Sequence, residues 1–145
     1  FGNEINVIFD ADGVHVGDAA QTQYGLSFRY EPTKKTYFKL RATHFADYYS
    51  DFDPLSLKDE NSGRESWKIP EYSLFDLHCG HKFKIANNNI LEIKLSILNL
   101  FDEKYISDAQ NNDPYNSNFQ DFDAKSAGVF FGLGRRYNLS LIKKF

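Results

Sequence analysis

Apolar residues recur along this chain with a period of two. From Ile90 to Ile97, Leu91, Ile93, Leu95 and Ile97 alternate with Glu92, Lys94 and Ser96, as expected of a strand whose successive side chains point to opposite faces. The last segment behaves alike: Val129, Phe131, Leu133, Tyr137, Leu139, Leu141 and Phe145 share one parity, against Gly128, Gly132, Gly134, Arg136, Asn138, Ser140 and Lys144. Tyr24, Leu26, Phe28 and Tyr30 alternate with polar neighbours, as do Phe38, Leu40 and Ala42, and Phe75, Leu77, Cys79, Phe83 and Ile85. Ile5, Val7 and Phe9 make a shorter sixth candidate. The pattern predicts an all-β chain of six strands, roughly 11 to 19 residues long, where roughly 9 to 11 suffice to cross a bilayer at a tilt.

The connections alternate in length. Pro32-Thr33-Lys34-Lys35 and Ala86-Asn87-Asn88-Asn89 are tight turns of the kind that join antiparallel neighbours. Between them run connections of about 20 residues, Asp51 to Tyr72 and Ile106 to Ser126, with a shorter one near Asp10 to Asp18; loops this long are unusual in a soluble sandwich. Short turns at one end and long loops at the other are the habit of outer-membrane barrels. Most of the 20 acidic residues lie in the long connections, among them Asp51, Asp53, Asp59, Glu60, Asp113, Asp121 and Asp123, so the loop end is acidic. Such a rim keeps exposed loops soluble, or attracts cationic or metal-bearing ligands.

Composition narrows the classes. The chain has 145 residues, 41% hydrophobic and 17% aromatic, with Phe 14 and Tyr 9 against one Trp, while its mean hydropathy is -0.54. Many aromatics in a polar chain suggest strands rather than a leucine-rich bundle. No apolar run approaches the eighteen or so residues of a membrane helix. A net charge of -3 gives no footprint for nucleic acid. One cysteine makes no internal disulfide and lacks zinc-site spacing. The start, Phe1-Gly2-Asn3-Glu4, has no signal-peptide character, and with no Met in the chain the sequence reads as part of a longer one.

Chemistry-bearing clusters are few. In His78-Cys79-Gly80-His81 a strand sends the two histidines to opposite faces, so chelation is not expected; His78 instead shares a face with Asp76, a candidate hydrogen-bonded pair. Asp10-Ala11-Asp12-Gly13 hints at a calcium loop but lacks the later ligands. Gly132-Leu133-Gly134 is no phosphate loop. Gly25, Gly80, Gly128, Gly132 and Gly134 fall on the polar face, where they would keep the wall smooth. Without a G-x-S-x-G elbow, an H-E-x-x-H pair or paired carboxylates on a rigid face, no catalysis and no cofactor are expected. Tyr115, Phe119, Asp121 and Asp123, with Trp67 and Arg64, mix aromatics with charge in the long connections, a composition suited to gripping a polar ligand or to an ordered loop.

Three segments resemble a known family. Ser96-Ile97-Leu98-Asn99-Leu100-Phe101-Asp102-Glu103-Lys104-Tyr105 resembles the "NLFDxxY" segment near the end of TonB-dependent outer-membrane receptors. Trp67-Lys68-Ile69-Pro70-Glu71-Tyr72-Ser73-Leu74-Phe75-Asp76-Leu77-His78 resembles that family's "P-x-Y-x-x-x-D-L" segment at the third strand from the end. Val16 to Gly25, followed by Arg29-Tyr30-Glu31-Pro32, is similar to receptors common in Bacteroidetes. Tyr137, Leu139, Leu141 and Phe145, counted by two from a terminal Phe, resemble the signal read by the barrel-assembly machinery, with Lys143 departing from it; a lysine near the boundary can snorkel.

The resemblance implies that residues 1–145 are the last strands, about six, of a 22-stranded plugged barrel in the cell outer membrane, its plug domain and earlier strands lying outside this chain. It implies TonB-driven uptake of a scarce nutrient such as siderophore iron, cobalamin or an oligosaccharide. Its partners would be the TonB complex, the assembly machinery, outer-membrane lipid and a small nutrient ligand. Asp76, His78, Glu92, Lys94 and Arg136 would face the lumen. The alternatives are a passive channel or adhesin-type barrel, and a secreted β-sandwich binding module whose apolar face is core.

Overall fold

The computed structural model describes residues 6, 8–57, 63–86, 89–111, 124–125 and 127–144. The alternating segments become strands β1 Thr22–Thr33, β2 Thr36–Ala46, β5 Tyr72–Lys84, β6 Ile90–Leu98 and β9 Arg136–Lys144. Shorter strands lie between them: β3 Tyr48–Tyr49, β4 Lys68–Ile69, β7 Ile106–Asn111 and β8 Ala127–Phe131, with one 3-10 turn at Pro54–Ser56. The chain is all-β and mostly antiparallel. Among the described residues no helix is long and apolar enough to cross a membrane.

The principal sheet has the order β1-β2-β5-β6-β9, so each long strand lies beside the next long strand in the chain. Lys34 and Lys35 form the two-residue turn between β1 and β2. Ile85 N–H donates to the Asn89 carbonyl at 2.9 Å to close the β5–β6 hairpin. The sheet strands run 9 to 13 residues; β1, β2 and β5 fall within the expected range and β6 and β9 below it.

Two expectations change. Among the described residues the principal sheet has five strands; of the sixth candidate, Ile5 and Val7 lie outside the described residues and Phe9 is not in a strand. The final alternating run is also broken, since residues 132–135 leave the ladder between β8 and β9. Their backbone groups find partners elsewhere: the Leu133 carbonyl accepts from Asn99 Nδ2 at 3.2 Å, and Arg135 N–H donates to Asp102 Oδ1 at 2.8 Å. Of the glycines assigned to the polar face of that run, Gly132 and Gly134 therefore sit in the break, and Gly128 pairs with Gln110 in the β7–β8 ladder.

The chain divides into two compact units. One comprises residues 1–22, 46–71 and 106–132; the other comprises residues 23–45, 72–105 and 133–145 and holds the sheet. The first unit is built from the long connections, which are not structureless: β3 pairs with β4 and β7 with β8. It contains every buried apolar side chain of the described residues, with Leu57 and Ala109 at 0% exposure and Ile69 at 1%. Its polar backbone is tied internally. Ser50 N–H donates to the Trp67 carbonyl at 2.8 Å, and Asp51 N–H to the Ala109 carbonyl at 2.8 Å. Gly17 is required there, because a Cβ would fall 2.6 Å from the Asp51 nitrogen.

Candidate functional site

The register sorts the sheet into two faces. On one, Leu40, Leu77, Ile97 and Tyr137 form a row across β2, β5, β6 and β9, and Phe38, Cys79, Leu95 and Leu139 form the next. A third row runs Thr36, His81, Ile93 and Leu141. The rows are exposed in the outer strands, Leu40 at 40% and Leu139 at 65%, and half-buried in β5 and β6; Leu26 of β1 is 74% exposed. Imidazole–hydroxyl pairs occur toward either end of the face, His44 Nδ1 with Ser73 Oγ at 2.9 Å and His81 Nδ1 with Thr36 Oγ1 at 2.7 Å.

The opposite face is polar. His78 lies between Lys39 and Ser96, and Gly80 between Tyr37 and Lys94. Glu92, opposite Lys82, is 6% exposed and holds Lys94 Nζ at 3.5 Å and Lys144 Nζ at 3.7 Å. Asp76, His78, Glu92, Lys94 and Arg136 all have this face's parity, Arg136 standing opposite Leu98 without a register slip. The expected Asp76–His78 hydrogen bond does not form. His78 Nδ1 pairs with Ser96 Oγ at 2.9 Å, its direct cross-strand neighbour, while Asp76 Oδ1 accepts the Asn99 N–H at 3.0 Å.

A lone glycine in a strand marks close approach, and Gly80 shows it. A Cβ there would collide with the Tyr37 ring, which lies across the glycine. The Arg29 guanidinium stacks on that ring 4.3 Å from its centroid, and Arg29 Nε donates to Glu31 Oε1 at 2.6 Å. A small cleft of about 140 Å³ opens beside this stack, its charged lining being Arg29, Lys34, Lys35 and Lys82 with Glu31 and Glu92.

At the end of β6 the chain turns through Asn99, and the two segments quoted above meet. Asn99 and Asp102 both have left-handed backbones, with φ of 51° and 57°, a conformation Asn and Asp tolerate better than other side chains. Asn99 is 4% exposed; its amide donates to the Glu103 and Leu133 carbonyls and its Oδ1 accepts Glu103 N–H at 2.8 Å. Leu100 N–H donates to the Phe75 carbonyl at 2.7 Å. Phe101 meets Phe75 edge-on at 5.1 Å, and Tyr105 stacks on Tyr72 at 4.4 Å, with Phe45 4.8 Å beyond. Asn99, Phe101, Asp102 and Tyr105 thus each have a contact, and so do Tyr72 and Asp76. The sequence motif flags these residues but not their roles.

The other unit carries its own polar contacts. His15 stacks on Tyr49 at 4.1 Å, its Nδ1 lies 2.7 Å from Glu65 Oε2, and its N–H donates to Glu65 Oε1. Partial burial raises the Glu65 carboxyl, but hydrogen bonds from His15 and Ser66 outweigh it and hold the group below its ordinary value. Lys68 Nζ donates to Asp47 Oδ1 at 2.7 Å, lowering the Asp47 carboxyl and raising the Lys68 ammonium. Asp10 Oδ1 accepts the Asp12 N–H at 3.0 Å, and among the described residues no three His, Cys, Asp or Glu groups gather to hold a metal ion.

Of the ligand-gripping candidates, Tyr115, Phe119, Asp121 and Asp123 lie outside the described residues, as does Phe145 of the terminal pattern. Trp67 and Arg64 are half-buried. The Trp67 backbone pairs with Ser50, which accepts its N–H through Oγ at 3.2 Å. Tyr137, Leu139 and Leu141 lie on the exposed apolar face. Searches of family models, curated proteins and solved structures find no match to this chain.

Proposed function

We propose that the chain is wall and loop of an outer-membrane β-barrel, the C-terminal part of a TonB-dependent transporter that takes up a scarce nutrient. One observation carries this reading: four strands align their apolar side chains in register on a single face, exposed in its outer strands and half-buried in its central ones, while the other face carries charge. In a soluble sandwich such a face would be covered by a second sheet; in a barrel wall it meets lipid and the polar face lines the lumen. The convergence of the Asn99–Tyr105 and Pro70–Leu77 segments on one turn adds support. The 22-stranded closure, the plug, the TonB complex and the assembly machinery come with the family resemblance and belong to the longer protein. The chain's role there is structural and selective, without catalysis.

The test is insertion. The intact protein carrying Leu139→Trp, reconstituted in vesicles containing brominated lipid, should lose fluorescence from that residue. A Trp placed at Ser140, of the opposite parity, should not. Equal quenching at both positions, or at neither, removes the barrel reading.

A further inference from the structure

Charge divides between the units more sharply than between strands and loops. The sheet unit has 13 basic and 5 acidic residues, the other 4 and 15, so charges of +8 and -11 make up the chain's -3. Within the sheet the excess lies on the polar face. Lys84 and Lys144 flank Ile90 in the row at the short-turn end; the next rows hold Lys82, then Lys94, then Lys39, then Arg41 opposite Asp76. Every second residue down β5 therefore meets a cation in its row, at intervals of about 6.7 Å.

Among the described residues few carboxylates neutralise this charge. Glu92 serves Lys94 and Lys144, and Glu31 serves Arg29. The Asp76 Oδ1 atom accepts from the Asn99 backbone. Among the described residues Lys39, Arg41, Lys82 and Lys84 have no carboxylate within ion-pair distance. Cations ranked this closely repel one another, and the face is stabilised by whatever anion it meets. The cleft at the turn end sets a size. At about 140 Å³ it holds roughly five water volumes of about 30 Å³ each, room for a compact di- or tricarboxylate or a pyrophosphate.

We propose that the polar face is a track for a small multivalent anion bearing carboxylate or phosphate groups, seated first in the cleft beside Tyr37 and Gly80. The assignment of the track to a transport lumen rests on the barrel reading above. The face thereby selects an anionic solute over a neutral one, in the way cationic rings select in anion pores.

Calorimetric titration of the intact protein in zwitterionic detergent tests this, with citrate and pyrophosphate as probes and maltotriose as the uncharged comparison. Both anions should bind and maltotriose should not. The Lys82→Gln/Lys94→Gln pair should weaken binding about tenfold, and added salt should weaken it further; Lys104→Gln, in the Asn99 turn, should leave it unchanged. Absence of binding by both anions, or binding indifferent to the paired substitution, overturns the proposal. Lipid quenching at Leu139→Trp without anion binding overturns the track and leaves the barrel standing. Binding without quenching keeps the anion site and overturns its assignment to a lumen.

Discussion

The two units place their apolar residues in opposite ways. In the unit built from the long connections, Leu57, Ile69 and Ala109 are sealed from solvent, and the backbone around Ser50, Asp51 and Trp67 is hydrogen-bonded internally. The five-stranded unit has no fully buried apolar side chain among its described residues and turns its rows of Leu, Phe and Tyr outward. The first unit draws stability from its own interior. The second leaves its apolar rows exposed or half-buried among the described residues. The unit without a hydrophobic period has the sealed interior, and the unit with a strict one carries its apolar residues on an open face.

Four substitutions and one change of condition would break or sharpen that contrast. Leu57→Ala should cost about 2–5 kcal/mol through an unfilled cavity, and the cost should be the same in detergent and in lipid, read from hydrogen exchange at Asp10 N–H, which is bonded to the Leu57 carbonyl. Leu95→Arg should cost about 2–4 kcal/mol in a bilayer and far less outside one; a cost independent of lipid, in unfolding titrations, would erase the contrast. Asn99→Ala removes three hydrogen bonds from a buried turn and should cost about 1–3 kcal/mol, with β9 amides exchanging faster. Gly80→Ala should cost roughly 1–3 kcal/mol by displacing Tyr37, and Tyr37→Ser should relieve most of it in a double-mutant cycle.

The smallest effect is acid. Asp47 and Glu65 are held below their ordinary values of 3.8 and 4.5, so what they contribute is present above those values and lost as pH falls through the lowered ones. Lys68 is raised above 10.5, so its share is present below that value and lost only as pH rises through the raised one. Protection of the Ser50 and Trp67 amides, measured against the intrinsic exchange rate at each pH, should therefore fall below about pH 4 and hold steady through neutrality.

The parity of each strand was readable from sequence because half-exposed strands alternate, and Leu91 to Ile97 alternate without interruption. What was not readable depends on partners remote in the chain. Leu133 continues the alternation of the last run, yet its carbonyl goes to Asn99, 34 residues earlier, so the run breaks. His78 and Asp76 share a face, but the residues across the strand, which alternation does not name, took them both. Gly80 gave a signal as a lone glycine, but its Tyr37 lid needed the register. The long connections lack a period, and their β3–β4 and β7–β8 ladders are two to six residues long, too short to announce themselves.

Asn99 has a bearing on how such a chain can diversify. One amide grips the chain at Glu103 and again at Leu133, so both ends of the excursion between them are pinned by a single side chain. When the ends of a loop are fixed, doubling its length costs only about 0.6 kcal/mol of closure entropy. The register of β9 is thereby uncoupled from the length of what precedes it. Peptide tags or foreign epitopes grafted within residues 112–123 should be accepted with the sheet intact.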